Sequence, residues 1–490
     1  MEKNQIVEIK IEDISAEGLG IGHASGMAVF VKDTIPGDEA RVKIIKLKKH
    51  IAYGRVMKIL SPSEDRVPAR CPVARQCGGC QIQEMDYAAQ LRFKKRKVEE
   101  NLRRIGGFQT VRVNNVLGMK DPWRYRNKAQ FPVGRDRNGK LIAGFYAGRT
   151  HDIIDCHDCA IGVPQNREII ECVLAYMERF HVEPYDEAGA AAAAPAAGGK
   201  NRRNGTEAHT AVMAESNARR GKRGTDGYGK IRHIFTRIGF STGQIMVVIV
   251  ATSDRLPETD YLVEQLTKTR GVVSIIINVN AKNTNVILGD ETHVLYGKDS
   301  IEDTISDVRY NISSRSFYQV NPAQTKVLYE TALRFADLKG GENVWDLYCG
   351  TGTISLFLAK KAGHVTGVEV IPEAIENARQ NARLNQIENA EFIVGKAEEV
   401  LPKMHRERKP DVIVVDPPRK GLDPVVIQTI LEAAPERIVY VSCDSATLAR
   451  DLKLFTDSGD YRIEKVQPVD MFSHSIHVEC VTLLEKRGSE

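Results

Sequence analysis

From about residue 315 onward, short apolar runs alternate with longer stretches of helical spacing, and no other feature limits the fold so tightly. The apolar runs are 343–347, 363–370, 390–394, 411–416 and 437–442, with helical stretches at 353–361, 372–385, 425–434 and 445–455. Repetition of strand then helix predicts a parallel sheet covered on both faces. The last two runs, 461–468 and 477–486, have no helix between them and predict an antiparallel pair at one sheet edge. Residues 311–490 are therefore expected to form an α/β, Rossmann-like domain.

The first sixty residues follow a different period. Ile6, Glu8, Lys10 and Glu12 fall on one face of a strand and Val7, Ile9 and Ile11 on the other. Gly18, Gly20, Gly22 and Gly26 mark tight turns, and Pro36-Gly37-Asp38 punctuates the strands that follow. Four or five short strands in so few residues predict an OB-like β-barrel over 1–60. Its late basic residues (Lys43, Lys46, Lys48, Lys49, Arg55) read equally as a solvated face or as an RNA-contacting one. Residues 61–310 read as a mixed α+β central domain. Within it, 187–229 holds an alanine run, glycines and a basic patch without apolar periodicity, the pattern of a disordered insert. Three domains suit 490 residues, more than one core sustains.

A hydrophobic fraction of 42% with 27% charged residues is that of an ordinary soluble globular protein. The net charge of +5 permits an anionic partner without demanding one. The opening MEKNQIVEIKIEDIS lacks the apolar core of a secretory signal, and the longest apolar run, 245–251, is too short to cross a bilayer. The expectation is a cytoplasmic protein with no membrane partner. Its nine cysteines are then reduced, and clustered ones are ligands or catalysts rather than disulfides.

The segment Val344-Trp345-Asp346-Leu347-Tyr348-Cys349-Gly350-Thr351-Gly352-Thr353 ends one run and opens a helix. Its glycines allow a tight turn and close approach of a ligand, and Glu369 ends the next run where a ribose diol would bind. The loop departs from G-x-G-x-x-G, and Asp346 would repel the pyrophosphate of NAD. It suits the cationic methionine end of S-adenosylmethionine. The bland alternative is a strand-to-helix turn with no ligand.

Three further residues carry chemistry. Asp416-Pro417-Pro418-Arg419-Lys420-Gly421 follows an apolar run, so Asp416 faces the ligand crevice and can accept hydrogen bonds from a nucleobase. Amine methyltransferases share a D-P-P segment, but they have no use for the cysteine in Val441-Ser442-Cys443-Asp444. Cys443 precedes a helix, whose N-terminus is expected to lower a thiol pKa. A thiolate there could add to uracil C6 and make C5 nucleophilic. Its bland alternative is a buried structural cysteine. Glu479, in Ser473-His474-Ser475-Ile476-His477-Val478-Glu479-Cys480, is the candidate base for the C5 proton. Burial would raise its pKa, whereas on an edge strand it would be an ordinary surface carboxylate.

Taken in order, Phe317-Tyr318-Gln319-Val320-Asn321, DLYCGTG, Glu369, DPPRKG, VSCDSATLARD and HVE resemble the RNA uracil-C5 methyltransferase family over the whole C-terminal half. The resemblance implies a class I, S-adenosylmethionine-dependent methyltransferase domain. It implies Gln319, Tyr348, Glu369 and Asp416 as cofactor ligands, with Asp416 also near the uracil. Cys443 matches the family's nucleophile and Glu479 its base. The N-terminal barrel is similar to the family's RNA-binding TRAM domain.

Cys71, Cys77 and Cys80 read C-x5-C-x2-C, with Cys156 and Cys159 as remote donors. Three close cysteines and one distant one suit a [4Fe–4S] cluster, while zinc more often takes two close pairs and stays open. The resemblance implies the cluster and points to Cys159, in Asp158-Cys159-Ala160-Ile161, as fourth ligand; Cys156 is then an extra thiol. TRAM plus cluster resembles the members acting on 23S ribosomal RNA, with a T-loop uridine of transfer RNA as the alternative. A monomer is expected. The basic run 92–97 reads as a solvated helix face, and 123–128, which mixes aromatics with charge, reads as functional. A catalytically inactive RNA-binding iron–sulfur protein is the rival of another class; Cys443 and Glu479 argue against it.

Overall fold

The structure is a computed structural model that describes residues 1–148, 150–186, 229–407 and 409–488. All of the expected insert except Gly229 lies outside the described residues. Strands β1 (Ile6–Ile14), β2 (Gly20–Ala24), β3 (Met27–Lys32), β4 (Glu39–Leu47) and β5 (Ile51–Ser61) close a barrel in the order β1-β2-β3-β5-β4. Period two holds along β1, with Ile9 and Ile11 buried and Glu8, Lys10 and Glu12 exposed. The barrel is filled by Ile9, Ile11, Val29, Val31, Val42 and Ile44. Gly54 allows the strands to cross closely, because a Cβ there would fall 2.2 Å from Val42 Cγ1.

The middle of the chain contains α1 (Tyr87–Arg104), β6 (Lys128–Arg135), β7 (Leu141–Tyr146), β8 (Ile153–Asp155) and α2 (Gln165–Arg179). It continues with β9 (Ile231–Ile238), β10 (Ile245–Ala251), α3 (Thr259–Leu266), β11 (Val272–Val279) and β12 (Glu291–Gly297). These strands form one sheet in the order β12-β11-β10-β9-β6-β7-β8. The longest apolar run is β10, and its continuity has a cause. Val247 and Ile249 face the core under α2 and α3, while Met246, Val248 and Val250 face the C-terminal domain. Among the described residues no helix is long and apolar enough to cross a membrane.

A hairpin of β13 (Ser300–Ile305) and β14 (Val308–Ser313) leads into α4 (Pro322–Ala336). Then come β15 (Asn343–Leu347), α5 (Thr353–Ala359), β16 (His364–Glu369), α6 (Pro372–Leu384), β17 (Ala390–Val394) and α7 (Ala397–Glu407). The chain ends with β18 (Val412–Val415), α8 (Pro424–Ala433), β19 (Arg437–Ser442), α9 (Ser445–Asp457), β20 (Tyr461–Val469) and β21 (Glu479–Lys486). Their sheet has the order β17-β16-β15-β18-β19-β21-β20, parallel through β19. β21 runs antiparallel to both its neighbours. This is the doubly wound α/β architecture that the alternation predicts, with β20 rather than β21 at the edge. Helix α1 also packs here: Val98 and Leu102 share a core with Ile438, Leu448 and Leu452.

Candidate active site

The loops leaving β15, β16, β18 and β19 meet on one edge of the C-terminal sheet, the side on which parallel α/β sheets bind ligands. After β15 the backbone folds back over β16, with the amides of Tyr348 and Cys349 donating to Val368 O at 2.9 and 3.1 Å. That turn puts Tyr348 at a φ of 67° and Gly352 at 78°. A Cβ on Gly352 would also lie 3.0 Å from Ala378 Cβ. Glu369 accepts from the amides of Val370 (2.8 Å), Ile371 (3.0 Å) and Gly350 (3.3 Å). Three bonds orient a carboxylate that has about four acceptor directions, leaving one for a ligand hydroxyl.

Beneath this loop, fully buried Asp346 accepts from Ser355 Oγ through Oδ2 at 2.5 Å, and its Oδ1 has no partner among the described residues. Burial pushes its carboxyl up to about 7, against the Ser355 hydrogen bond and with help from the charge of Asp416. An orphaned buried acceptor under a glycine loop fits the ammonium or sulfonium of S-adenosylmethionine. The 317–321 segment runs beside the loop, since Thr351 Oγ1 donates to Phe317 O at 3.4 Å. Asn127 Nδ2 fixes that segment by donating to Gln319 O at 2.9 Å. Gln319, Tyr348 and Glu369 are thus gathered along one edge of the loop.

Asp416 and Cys443 follow directly after β18 and β19. In the antiparallel register of β19 on β21, Ser442 stands opposite Cys480. Cys443 follows Ser442 and Glu479 precedes Cys480, so both lie at the same end of that ladder, and with Asp416 the three side chains interact electrostatically. Glu479 is buried, not a surface carboxylate, because β21 is an inner strand. Burial pushes it up to about 8, the negative charge of Asp416 adds to the rise and Arg419 opposes it. Asp416 is pushed up to about 7 by burial, although part of the side chain still reaches the surface.

Cys443 corrects an expectation. Burial, followed by the charges of Glu479 and Asp416, pushes its thiol up to about 11 rather than down, with Arg419 opposing. The start of α9 does not help the thiol, because Asp444 caps it. The Asp444 carboxylate accepts from the amides of Ala446 (2.8 Å) and Thr447 (3.2 Å), so two of the helix's free donors already serve that carboxylate.

Cys71, Cys77, Cys80, Cys156 and Cys159 line one cavity of about 270 Å³, which Arg126 and Lys128 also border. Cys156, the extra thiol, faces the same space and hydrogen bonds with Cys71. Among the described residues no three His, Cys, Asp or Glu side chains stand together as a bound metal ion requires. Thiols are the donor type that an iron–sulfur cluster takes, and five of them border this cavity.

Two family models match the chain: tRNA (Uracil-5-)-methyltransferase over 257–487 and the TRAM domain over 2–57. An uncharacterized RNA methyltransferase of Halalkalibacterium halodurans is 47% identical over 490 residues, covering 100% of this chain and 98% of that protein. The chain belongs to the RNA uracil-C5 methyltransferase family. A relative of the same description from Bacillus cereus is 47% identical over 488 residues, covering 99% of this chain and 98% of its own. The crystal structure of Pyrococcus abyssi tRNA (uracil-54, C5)-methyltransferase with S-adenosyl-L-homocysteine superposes with a TM-score of 0.73 at 27% identity. It covers 98% of this chain and 100% of that one. The protein is an S-adenosylmethionine-dependent RNA uracil-C5 methyltransferase with a class I methyltransferase domain and an N-terminal TRAM barrel.

Sequence reasoning missed several residues around this methyltransferase site. Arg419, in DPPRKG, carries no signal of a role in the sequence, yet its charge acts on both Cys443 and Glu479. The basic run 92–97 is not wholly a solvated face. Phe93 and Lys94 are buried, and Lys97 turns toward the loop before Glu479. In the 123–128 stretch, Trp123 stacks on His474 with ring centres 3.8 Å apart, and Arg124 pairs with Asp158. Lys94, Lys97 and Trp123 join the central domain to the segment before Glu479. A thiol raised as Cys443 is should alkylate slowly with iodoacetamide at pH 7 and faster as the pH climbs toward 11. Peptide mass spectrometry showing fast alkylation of Cys443 at neutral pH would contradict the geometry described here.

Proposed function

We propose that this methyltransferase modifies C5 of a uridine in 23S ribosomal RNA through a covalent bond between Cys443 and uracil C6. The observation that carries the reading is the convergence of one thiol and two carboxyls, Cys443, Asp416 and Glu479, beside the glycine loop. When bound, S-adenosylmethionine supplies an electrophilic methyl on a sulfonium sulfur. Gln319, Tyr348, Glu369 and Asp416 would hold it.

Uracil C5 lacks the electron density to take that methyl unaided. Cys443 loses its proton to solvent water and adds its sulfur to C6, and the C5–C6 π electrons spread onto C5 and O4. C5 then forms its bond to the methyl carbon as the methyl–sulfur bond breaks with its electron pair onto sulfur, the neutral thioether leaves, and C5 carries a hydrogen and a methyl together. The Glu479 carboxylate removes that hydrogen as a proton, the electrons restore the C5–C6 bond, and the C6–S bond breaks to return the thiolate. A Glu479 pKa near 8 suits this step, because a base poised near the working pH both accepts and later releases a proton readily. Asp416, also poised near neutrality, accepts hydrogen bonds from the uracil edge.

A paired base hides C5 and C6, so the target uridine must lie in a loop or be extruded. The TRAM barrel supports RNA contact away from the reacting base. The five-thiol cavity supports a [4Fe–4S] cluster held by Cys71, Cys77 and Cys80 with Cys159 or Cys156, shaping the RNA surface without taking part in methyl transfer. Barrel and cysteine cavity together favour ribosomal RNA. A T-loop uridine of transfer RNA is the second reading, favoured by the Pyrococcus abyssi neighbour, which acts on uracil-54 of tRNA.

In a strain lacking the gene, 5-methyluridine should disappear from a position in 23S RNA. The wild-type gene should restore it, and one encoding Cys443→Ala should not. Loss confined to transfer RNA overturns the substrate, and restoration by Cys443→Ala overturns covalent catalysis. Anaerobic purification should give a brown protein with about four irons per chain. A colourless protein with one zinc overturns the cluster.

A further inference from the structure

Glu479 opens β21, but the segment that delivers it, residues 470–478, contains neither helix nor strand and is largely buried. Buried irregular backbone must find partners elsewhere for its N–H and C=O groups. Helix α1 supplies many of them. Lys94 Nζ donates to Phe472 O at 2.8 Å and pairs with Asp470 Oδ1 at 2.5 Å, both side chains fully buried. Lys97 Nζ donates to Ile476 O at 2.9 Å. Gln90 accepts from the His474 amide at 2.8 Å, and its Nε2 donates to His474 Nδ1 at 3.0 Å. Residues 90, 94 and 97 share one helix face. His474 sits at a φ of 63°, a left-handed conformation that a histidine holds only when its surroundings impose it.

A buried ion pair is a weak source of stability, because desolvation consumes most of the Coulomb gain. What this one fixes is the path of the chain into β21. We propose that Gln90, Lys94 and Lys97 are positioning residues that hold the 470–478 segment so that Glu479 reaches the proton on uracil C5. The proposal rests on the reading of Glu479 as the base. It has a signature that general destabilisation lacks. Misplacing the base slows proton removal, the last chemical step, while sulfur addition and methyl transfer still proceed. The C6–S bond then stays unbroken, and RNA remains attached to the protein.

The test uses the full-length protein with unmodified 23S RNA transcribed in vitro and radiolabelled S-adenosylmethionine. The variants are Lys97→Met, which leaves no buried charge behind, Lys97→Arg, and Lys94→Met combined with Asp470→Leu, which removes the buried pair as a unit. Glu479→Gln is the reference. Lys97→Met should lower kcat about tenfold or more, as misplacement of a general base does. KM for S-adenosylmethionine should stay within about twofold. A protein–RNA adduct that survives denaturation should accumulate in Lys97→Met, in the double variant and in Glu479→Gln. Lys97→Arg should recover most of the wild-type rate. A lowered kcat without adduct in Lys97→Met, or an unchanged kcat, overturns the proposal while Glu479→Gln still traps RNA. If Glu479→Gln itself traps none, the reading of Glu479 as base fails and the positioning role falls with it.

Discussion

The pairing of β21 against β19 is the constraint on which the site depends. A β-ladder fixes which residues face each other, and a slip of one residue would turn Glu479 to the other face of the sheet. The register that sets Ser442 opposite Cys480 brings Cys443, one residue past the end of β19, to the end of the ladder where Glu479 opens β21. Because the two strands are antiparallel, a carboxyl-terminal edge and an amino-terminal edge coincide there. Asp416 arrives from the next strand, β18, which pairs in parallel with β19. Three groups far apart in sequence are thus brought together at or within one residue of paired strand ends.

That convergence has an electrostatic cost, and the cost is informative. Two carboxyls and a thiol share a largely desolvated space, so each resists ionisation. Asp346 adds a third raised carboxyl beneath the glycine loop. A site of this kind favours a cationic ligand and a reaction in which protons are taken up and given back near neutral pH. Perturbed groups concentrated at one sheet edge are what acid–base chemistry needs.

Much of the C-terminal domain was legible because its inner strands are buried on both faces. The runs 343–347 and 437–442 coincide with β15 and β19, where burial on both sides favours largely apolar runs, and 390–394 coincides with the half-exposed edge strand β17. The α7 helix went unrecognised in a stretch interrupted by Pro402. β21 starts at Glu479 rather than at 477, because His477 and Val478 still belong to the clamped segment. The thiol pKa of Cys443 was misjudged because a helix start attracts its own cap, and Asp444 takes the amides first. The role of Lys94 was out of reach for another reason. A lysine in a basic run looks solvated until its partner, Asp470, is brought from 376 residues away by the fold.

The central claim is that one sulfur joins the pyrimidine ring before the methyl does. RNA containing 5-fluorouridine tests it most directly, because fluorine at C5 cannot be removed as a proton and the adduct must stall. Incubation with S-adenosylmethionine, digestion and mass spectrometry should find the peptide containing Cys443 carrying a fluorouridine to which one methyl has been added. An adduct on any other residue, or a methylated RNA product with no covalent species, would contradict the account.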